Sequence, residues 1–164
     1  MSDSPDPRTA VAELLARERH GVLSTIESRE SAFPFGSITP YALTEEGDPI
    51  LLLSEIAEHA KNLRADPRAS LFVADSRARS DPQAGARVTL LGNAAAVPAR
   101  SGKKARESYL ARFPQAESYF TAHRFSIFVV RVERVRWIAG FGSMGWLDRA
   151  EFAAEPPPKR TKKK

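Results

Sequence analysis

Eight residues, Phe125 to Val132, constrain this chain more than any others. Ile127, Phe128, Val129 and Val130 are consecutive, and a strand turns successive side chains to opposite faces, so a strand here needs apolar cover on both. A sheet with one solvated face does not supply that. The segment therefore predicts a strand buried on two sides, with a second subunit as the expected cover for one of them. It is far shorter than the ~18 apolar residues of a membrane span, as is every other apolar run in the chain. A hydrophobic content of 42% against 27% charged residues, with nine Phe, excludes a wholly disordered chain. At 164 residues, one soluble domain is expected.

The rest of the chain reads as strands with helices between them. Asp6-Pro7 predicts a helix through Arg19 with Val11, Leu14 and Leu15 on one face and Gly21 as terminator. Strands follow at 22–26, 35–44 and 50–53, the last two separated by the turn Glu45-Glu46-Gly47-Asp48-Pro49. Ile56, Ala60 and Leu63 mark a helix that Asp66-Pro67 stops. Further strands are predicted at 70–74, 87–97 and 125–132, with helices at 103–112 and after Pro114, and a glycine-rich aromatic segment at 137–147. No internal repeat and no regular βαβ alternation is present. The expectation is mainly β with peripheral helices, arranged as an antiparallel barrel.

Composition removes several function classes. Without cysteine there are no disulfides, thiolate metal sites or cysteine nucleophiles, and a reducing cytoplasm is the expected location. The acidic, proline-rich N-terminus lacks the basic flank and apolar stretch of a secretory signal. The net charge of +5 comes from Lys159, Arg160, Lys162, Lys163 and Lys164, because residues 1–155 balance 20 basic against 20 acidic groups. A neutral body argues against specific nucleic-acid binding. His20, His59 and His123 are too far apart in sequence to form a paired metal motif. Gly140-Phe141-Gly142-Ser143-Met144-Gly145 has Gly-x-Gly-x-x-Gly spacing but lacks the downstream βαβ unit that gives the fingerprint meaning.

Polar groups capable of recognising a phosphate gather in three places. Ser54 stands at a strand-to-helix junction, where free N–H groups favour an anion. His59 and Asn62 are three residues apart and share a helix face beside Lys61. Alternation sets Ser37 and Thr39 opposite Ile38, and sets Arg87 and Thr89 opposite Val88 and Leu90. Taken together, Ser54, His59, Ser37, Thr39, Arg87 and Thr89 form an inventory suited to a phosphomonoester.

The order Pro34-Phe35-Gly36-Ser37, Ser54-x4-His59-x2-Asn62-Leu63-x2-Asp66-Pro67-Arg68-x-Ser70-Leu71, Arg87-Val88-Thr89-Leu90-x-Gly92 and Gly140-Phe141-Gly142 resembles the FMN-binding split barrels related to pyridoxamine 5′-phosphate oxidase. The resemblance spans roughly residues 8 to 149 and is closest to the branch that includes haem-utilisation proteins. It implies an antiparallel six-stranded split β-barrel of the FMN-binding type, assembled as a homodimer with the cofactor at the interface. It also implies Arg87 and His59 as phosphate cations, Ser37, Thr39, Ser54 and Thr89 as hydroxyl donors, Lys61 and Asn62 as supports, and Phe141 and Trp146 as walls near the ring. The oxidases carry basic residues where this chain has Glu58, His59 and Ser37.

The resulting expectation is a flavin-binding domain at 8–152 between disordered ends at 1–7 and 153–164. It would act as an FMN-dependent oxidoreductase of unknown substrate, without a metal. A deazaflavin such as F420 is an alternative cofactor. Haem binding or degradation on the same barrel, with His20 or His123 as axial ligand, is the alternative function, and a non-catalytic flavin carrier is a third.

Overall fold

The computed structural model describes residues 6–29, 32–78, 80–121, 124–140 and 142–153. Helix α1 (Pro7–Arg17) starts as its sequence predicts: Asp6 Oδ2 accepts the Thr9 N–H at 3.1 Å, and the following proline needs no partner for a missing donor. Val11, Leu14 and Leu15 are buried. The helix stops at Glu18 rather than Gly21. Gly21 lies inside β1 (His20–Ile26), where a Cβ would stand 2.7 Å from the Phe72 carbonyl oxygen, so its role is close approach of backbones. Pro7 is the first residue of α1 and Ala153 the last of the final helix.

After β1 come β2 (Pro34–Pro40), β3 (Ala42–Leu43), β4 (Pro49–Ser54), α2 (Glu58–Ala65), β5 (Arg68–Ala74) and β6 (Arg87–Ala96). Helix α3 (Lys103–Arg112), a 3₁₀ turn (Pro114–Ala116) and α4 (Glu117–Thr121) then lead to β7 (Phe125–Ile138), β8 (Met144–Asp148) and α5 (Arg149–Ala153). The sheet has eight strands rather than six. The predicted strand 35–44 breaks at Tyr41, whose side chain is buried and donates its hydroxyl to the Leu15 carbonyl at 2.8 Å. The glycine-rich segment supplies the other extra strand, β8.

All pairings are antiparallel, in the order β2-β1-β5-β6-β7-β4-β3, with β8 also on β7. This order forces closure. Strands β2 and β3 lie at opposite ends of a seven-strand path, yet Tyr41 alone separates Pro40 from Ala42, and one residue reaches only about 3.5 Å. The sheet must curl until its two ends meet. Strand β7 carries β6 along one edge, while its other edge is divided between β4, against Phe125–Val129, and β8, against 134–138. That division splits the barrel.

A bulge lies near the division. Leu91 pairs with Arg134 but Gly92 pairs with Val132, which leaves Glu133 unopposed. Glycine is required at 92, because a Cβ there would meet the Arg131 carbonyl oxygen at 2.1 Å. The end of β8 is pinned by Arg149, which bonds the buried Asp48 carboxylate and donates to the Val132 carbonyl at 3.1 Å.

The barrel core takes one face of β7 through Phe128, Val130 and Val132, joined by Leu23, Leu71, Leu90 and Leu147 and by Ala60 and Leu63 of α2. The other face of β7 also needs cover, as its sequence demands. The chain itself supplies cover there: Ile127 packs with Ile50 and Leu52 under Tyr109 of α3 and Phe113, the residue that follows it.

Candidate functional site

The structure divides the predicted site residues between the two faces of the sheet. Residues paired across neighbouring strands share a face, so the register can be followed from edge to edge. One row runs Ser37, Leu23, Leu71, Leu90, Val135, Leu147, and its apolar members are buried in the core. The next row runs Ile38, Val22, Phe72, Thr89, Arg136, Trp146 and faces outward. Ser37 and Thr39 therefore point to the inner side, and Arg87 and Thr89 to the outer side. The alternation within each strand is as predicted, but one chain does not bring the two pairs together.

Most of the inner group is a set of polar residues that satisfy one another, with Thr39 the exception. Asn62 is fully buried; its amide donates to Thr25 Oγ1 at 3.0 Å and its carbonyl accepts the Ser28 N–H at 3.1 Å. Ser37 Oγ lies 3.1 Å from His59 Nδ1. His59 is half-buried, and that burial lowers its pKa, so at pH 7 the imidazole is neutral and serves as a hydrogen-bond partner rather than a phosphate cation. Lys61 is exposed and turned to Glu58 at 3.3 Å, while Arg29 holds the other Glu58 oxygen at 3.2 Å. Thr39 is buried, and its Oγ1 has no hydrogen-bond partner among the described residues.

Ser54 is not the helix cap. It ends β4 opposite Phe125, and Ala57, which has no side chain able to accept a bond, occupies the cap position of α2. Three residues of turn separate Ser54 from the first helical residue, so the helix dipole does not act on its hydroxyl. Ile56 is 63% exposed within that turn rather than part of the core stripe with Ala60 and Leu63.

The outer group is open. Ile38 is 72% exposed and Trp146 48%, with Val22, Phe72 and Met144 also exposed. Arg87 Nη1 donates to the carbonyls of Gln83 at 2.7 Å and Gly85 at 3.0 Å, which ties it to the preceding loop. The Trp146 ring has Arg134 at 4.4 Å and Arg136 at 5.6 Å from its centroid. Sequence reasoning missed Ile38, Val22, Phe72, Arg134 and Arg136. The bulge at Glu133 shifts the alternation of β7 by one residue, so a period-2 reading stops at Val132 and misses the two arginines.

Phe141 and His123 lie outside the described residues. Gly140 and Gly142, with φ of 125° and 81°, belong to the hairpin loop between β7 and β8, which accounts for the glycine spacing without a nucleotide. No group of His, Asp or Glu suited to a metal ion is found among the described residues, and no described helix is long and apolar enough to cross a membrane. Two cavities of about 420 and 380 Å³ flank α3 on the far side of β7, and none of the predicted site residues lines either.

A divided β7, edges brought together at Tyr41 and an open outer face define a split-barrel protein. Residues 5–154 match the family described as CREG, β-barrel, and the chain belongs to that family. A non-canonical haem oxygenase, HOZ, of Arabidopsis thaliana chloroplasts is 34% identical over 137 residues, covering 82% of this chain and 40% of HOZ. The structure of a haem-binding protein from Mycobacterium smegmatis is 36% identical with a TM-score of 0.83, covering 91% of this chain and 60% of that one. The chain thus spans about half the length of these relatives. A Clostridium acetobutylicum protein of the pyridoxine phosphate oxidase family, related to general stress protein 26, shares the fold at 14% identity and a TM-score of 0.67, covering 90% of this chain and 99% of that one.

Proposed function

We propose that the chain is a haem-binding protein and that its outer sheet face, doubled by a second copy, seats the haem. The observation that carries this reading is the outward row from Ile38 through Val22 and Phe72 to Arg136 and Trp146. It gives an apolar stretch ending in cations, which suits a flat, largely apolar macrocycle with anionic substituents. His20 is exposed and alternates onto the same side of β1 as Val22, so an imidazole is available on that face. Haem would supply the redox-active iron; Val22, Phe72 and Ile38 would hold its apolar body. The names of the relatives in Arabidopsis and Mycobacterium favour the same cofactor.

FMN is the second reading, favoured by Arg87, Thr89 and Trp146 facing outward together. Arg87 and Thr89 are the half of the expected phosphate site that lies on the outer face, and Trp146 is the expected ring wall on the same face. On this reading the chain is an FMN-dependent oxidoreductase or a flavin carrier.

The deciding experiment is a pair of titrations of the purified protein, haem followed by the Soret band and FMN followed by fluorescence quenching, with sedimentation at micromolar concentration. A saturable Soret shift and a dimer are expected. FMN quenching without a Soret shift would replace haem by flavin, and a stable monomer that still binds haem would remove the shared interface.

A further inference from the structure

We propose that Arg134 and Arg136, braced by Trp146, form the anion-recognising end of the outer face and hold the cofactor's anionic oxygens. This rests on the reading of that face as the cofactor site. Both arginines lie on β7 opposite β8, with Arg134 facing Asp148 and Arg136 facing Trp146 in register. Other arginines are committed to acids, as Arg68 is to Asp66, Arg77 to Asp75 and Arg149 to Asp48, or to backbone carbonyls, as Arg87 is to Gln83 and Gly85 and Arg19 to Arg112. Arg134 and Arg136 have no carboxylate partner among the described residues. Asp148, opposite Arg134 in register, turns its carboxylate to accept the Glu151 N–H at 2.9 Å and so begins α5.

What the two arginines have instead is the indole. A guanidinium lying over a ring keeps its N–H donors in its own plane and directed away from the ring, where they suit the paired oxygens of a carboxylate or a phosphate. The ring also restrains two long side chains, which lowers the entropy lost when an anion binds. Two guanidinia beside one aromatic ring therefore recognise an anionic group carried on a flat, apolar body. Two ligands share that chemistry: haem through its two propionates, and FMN through its phosphate.

The test compares each cofactor with its uncharged analogue. Native protein is titrated with haem and with haem dimethyl ester, and with FMN and with riboflavin, and all four titrations are repeated on R134Q/R136Q. For whichever cofactor binds, the native protein should prefer the anionic form by about ten- to a hundred-fold, the effect of one or two charge-assisted hydrogen bonds. The variant should lose that factor for the anionic form and bind the neutral analogue unchanged. A preference with haem identifies the propionates, and one with FMN the phosphate. Equal binding of charged and neutral forms by the native protein overturns the inference without recourse to a variant. Native-like haem binding by R134Q/R136Q overturns it while leaving the haem reading intact, and a protein that binds neither cofactor removes both.

Discussion

The inner cluster around His59 and the outer face around Trp146 both gather polar side chains and treat them in opposite ways. Inside, Asn62, Thr25, Ser37 and His59 are paired with one another at 3.0 to 3.1 Å and tie β1 and β2 to α2. Outside, Thr89, Arg136 and Trp146 share a row with exposed Ile38, Val22 and Phe72, and Arg134 and Arg136 lie over the Trp146 ring with no carboxylate partner among the described residues. Paired polar groups hold a structure together; open ones remain available to a ligand. A chemically apt set of residues is therefore not yet a site, because the difference lies in which groups the fold has already used.

The largest effect that separates the two regions is expected from Asn62→Leu. It removes the donor to the buried Thr25 hydroxyl and the acceptor of the Ser28 N–H and sets an apolar side chain among polar groups, at a cost of about 1–3 kcal/mol in urea unfolding, while the folded variant keeps its haem affinity. Native-like stability with lost haem binding would reverse the roles assigned to the two regions. Ile38→Glu with Phe72→Glu is expected to do the opposite: haem affinity and dimerisation fall by at least about ten-fold, equivalent to ~1.4 kcal/mol. Unfolding free energy, per subunit, should move by no more than about 0.5 kcal/mol for each exposed position. Sedimentation and Soret titration on one preparation read both quantities.

Ser37→Ala removes one neutral hydrogen bond and should cost about 0.5–1.5 kcal/mol of stability without changing FMN or haem affinity. A ten-fold loss of FMN affinity would return Ser37 to the cofactor site. A gentler probe is pH. Burial lowers the His59 pKa below its ordinary 6.5, so the unfolded chain takes up a proton first as pH falls. The contribution of His59 to stability is thus complete above about pH 6.5 and is lost as pH drops through the folded value. Urea midpoints at pH 7.5 and 5.5 should fall further for the native chain than for His59→Gln; equal falls would show that His59 does not titrate differently in the fold. Smallest of all, Lys61→Ala removes an exposed pair with Glu58 and should change stability and cofactor affinity by no more than about 0.5 kcal/mol.

Much of this was legible one strand at a time. The α1 cap at Asp6, the buried stripe Val11, Leu14 and Leu15, the alternation of Ser37 and Thr39 against Ile38 and of Arg87 and Thr89 against Val88, and the two-sided burial of 125–132 all appear in the structure where the residues predicted them. These are properties of neighbours in sequence, fixed by the 3.6 and 2.0 periods of helix and strand. Ser54 fails as a cap because the helix begins three residues later than its spacing suggests, a choice between turn and helix that short sequences leave open.

What only the tertiary structure decided is which alternating faces point the same way. Register relates Ser37 to Leu90 and Ile38 to Thr89 through four strands drawn from separate parts of the chain, and a shift of one residue at any pairing would exchange the two faces. The bulge at Glu133 makes such a shift within β7 and carries Arg134 and Arg136 to the outer side. The cover over the second face of β7 was undecided for the same reason: its apolar demand is local, but whether α3 or another chain meets it depends on contacts between residues far apart in sequence. Periodicity determines what each strand presents, and long-range pairing determines what it presents it to.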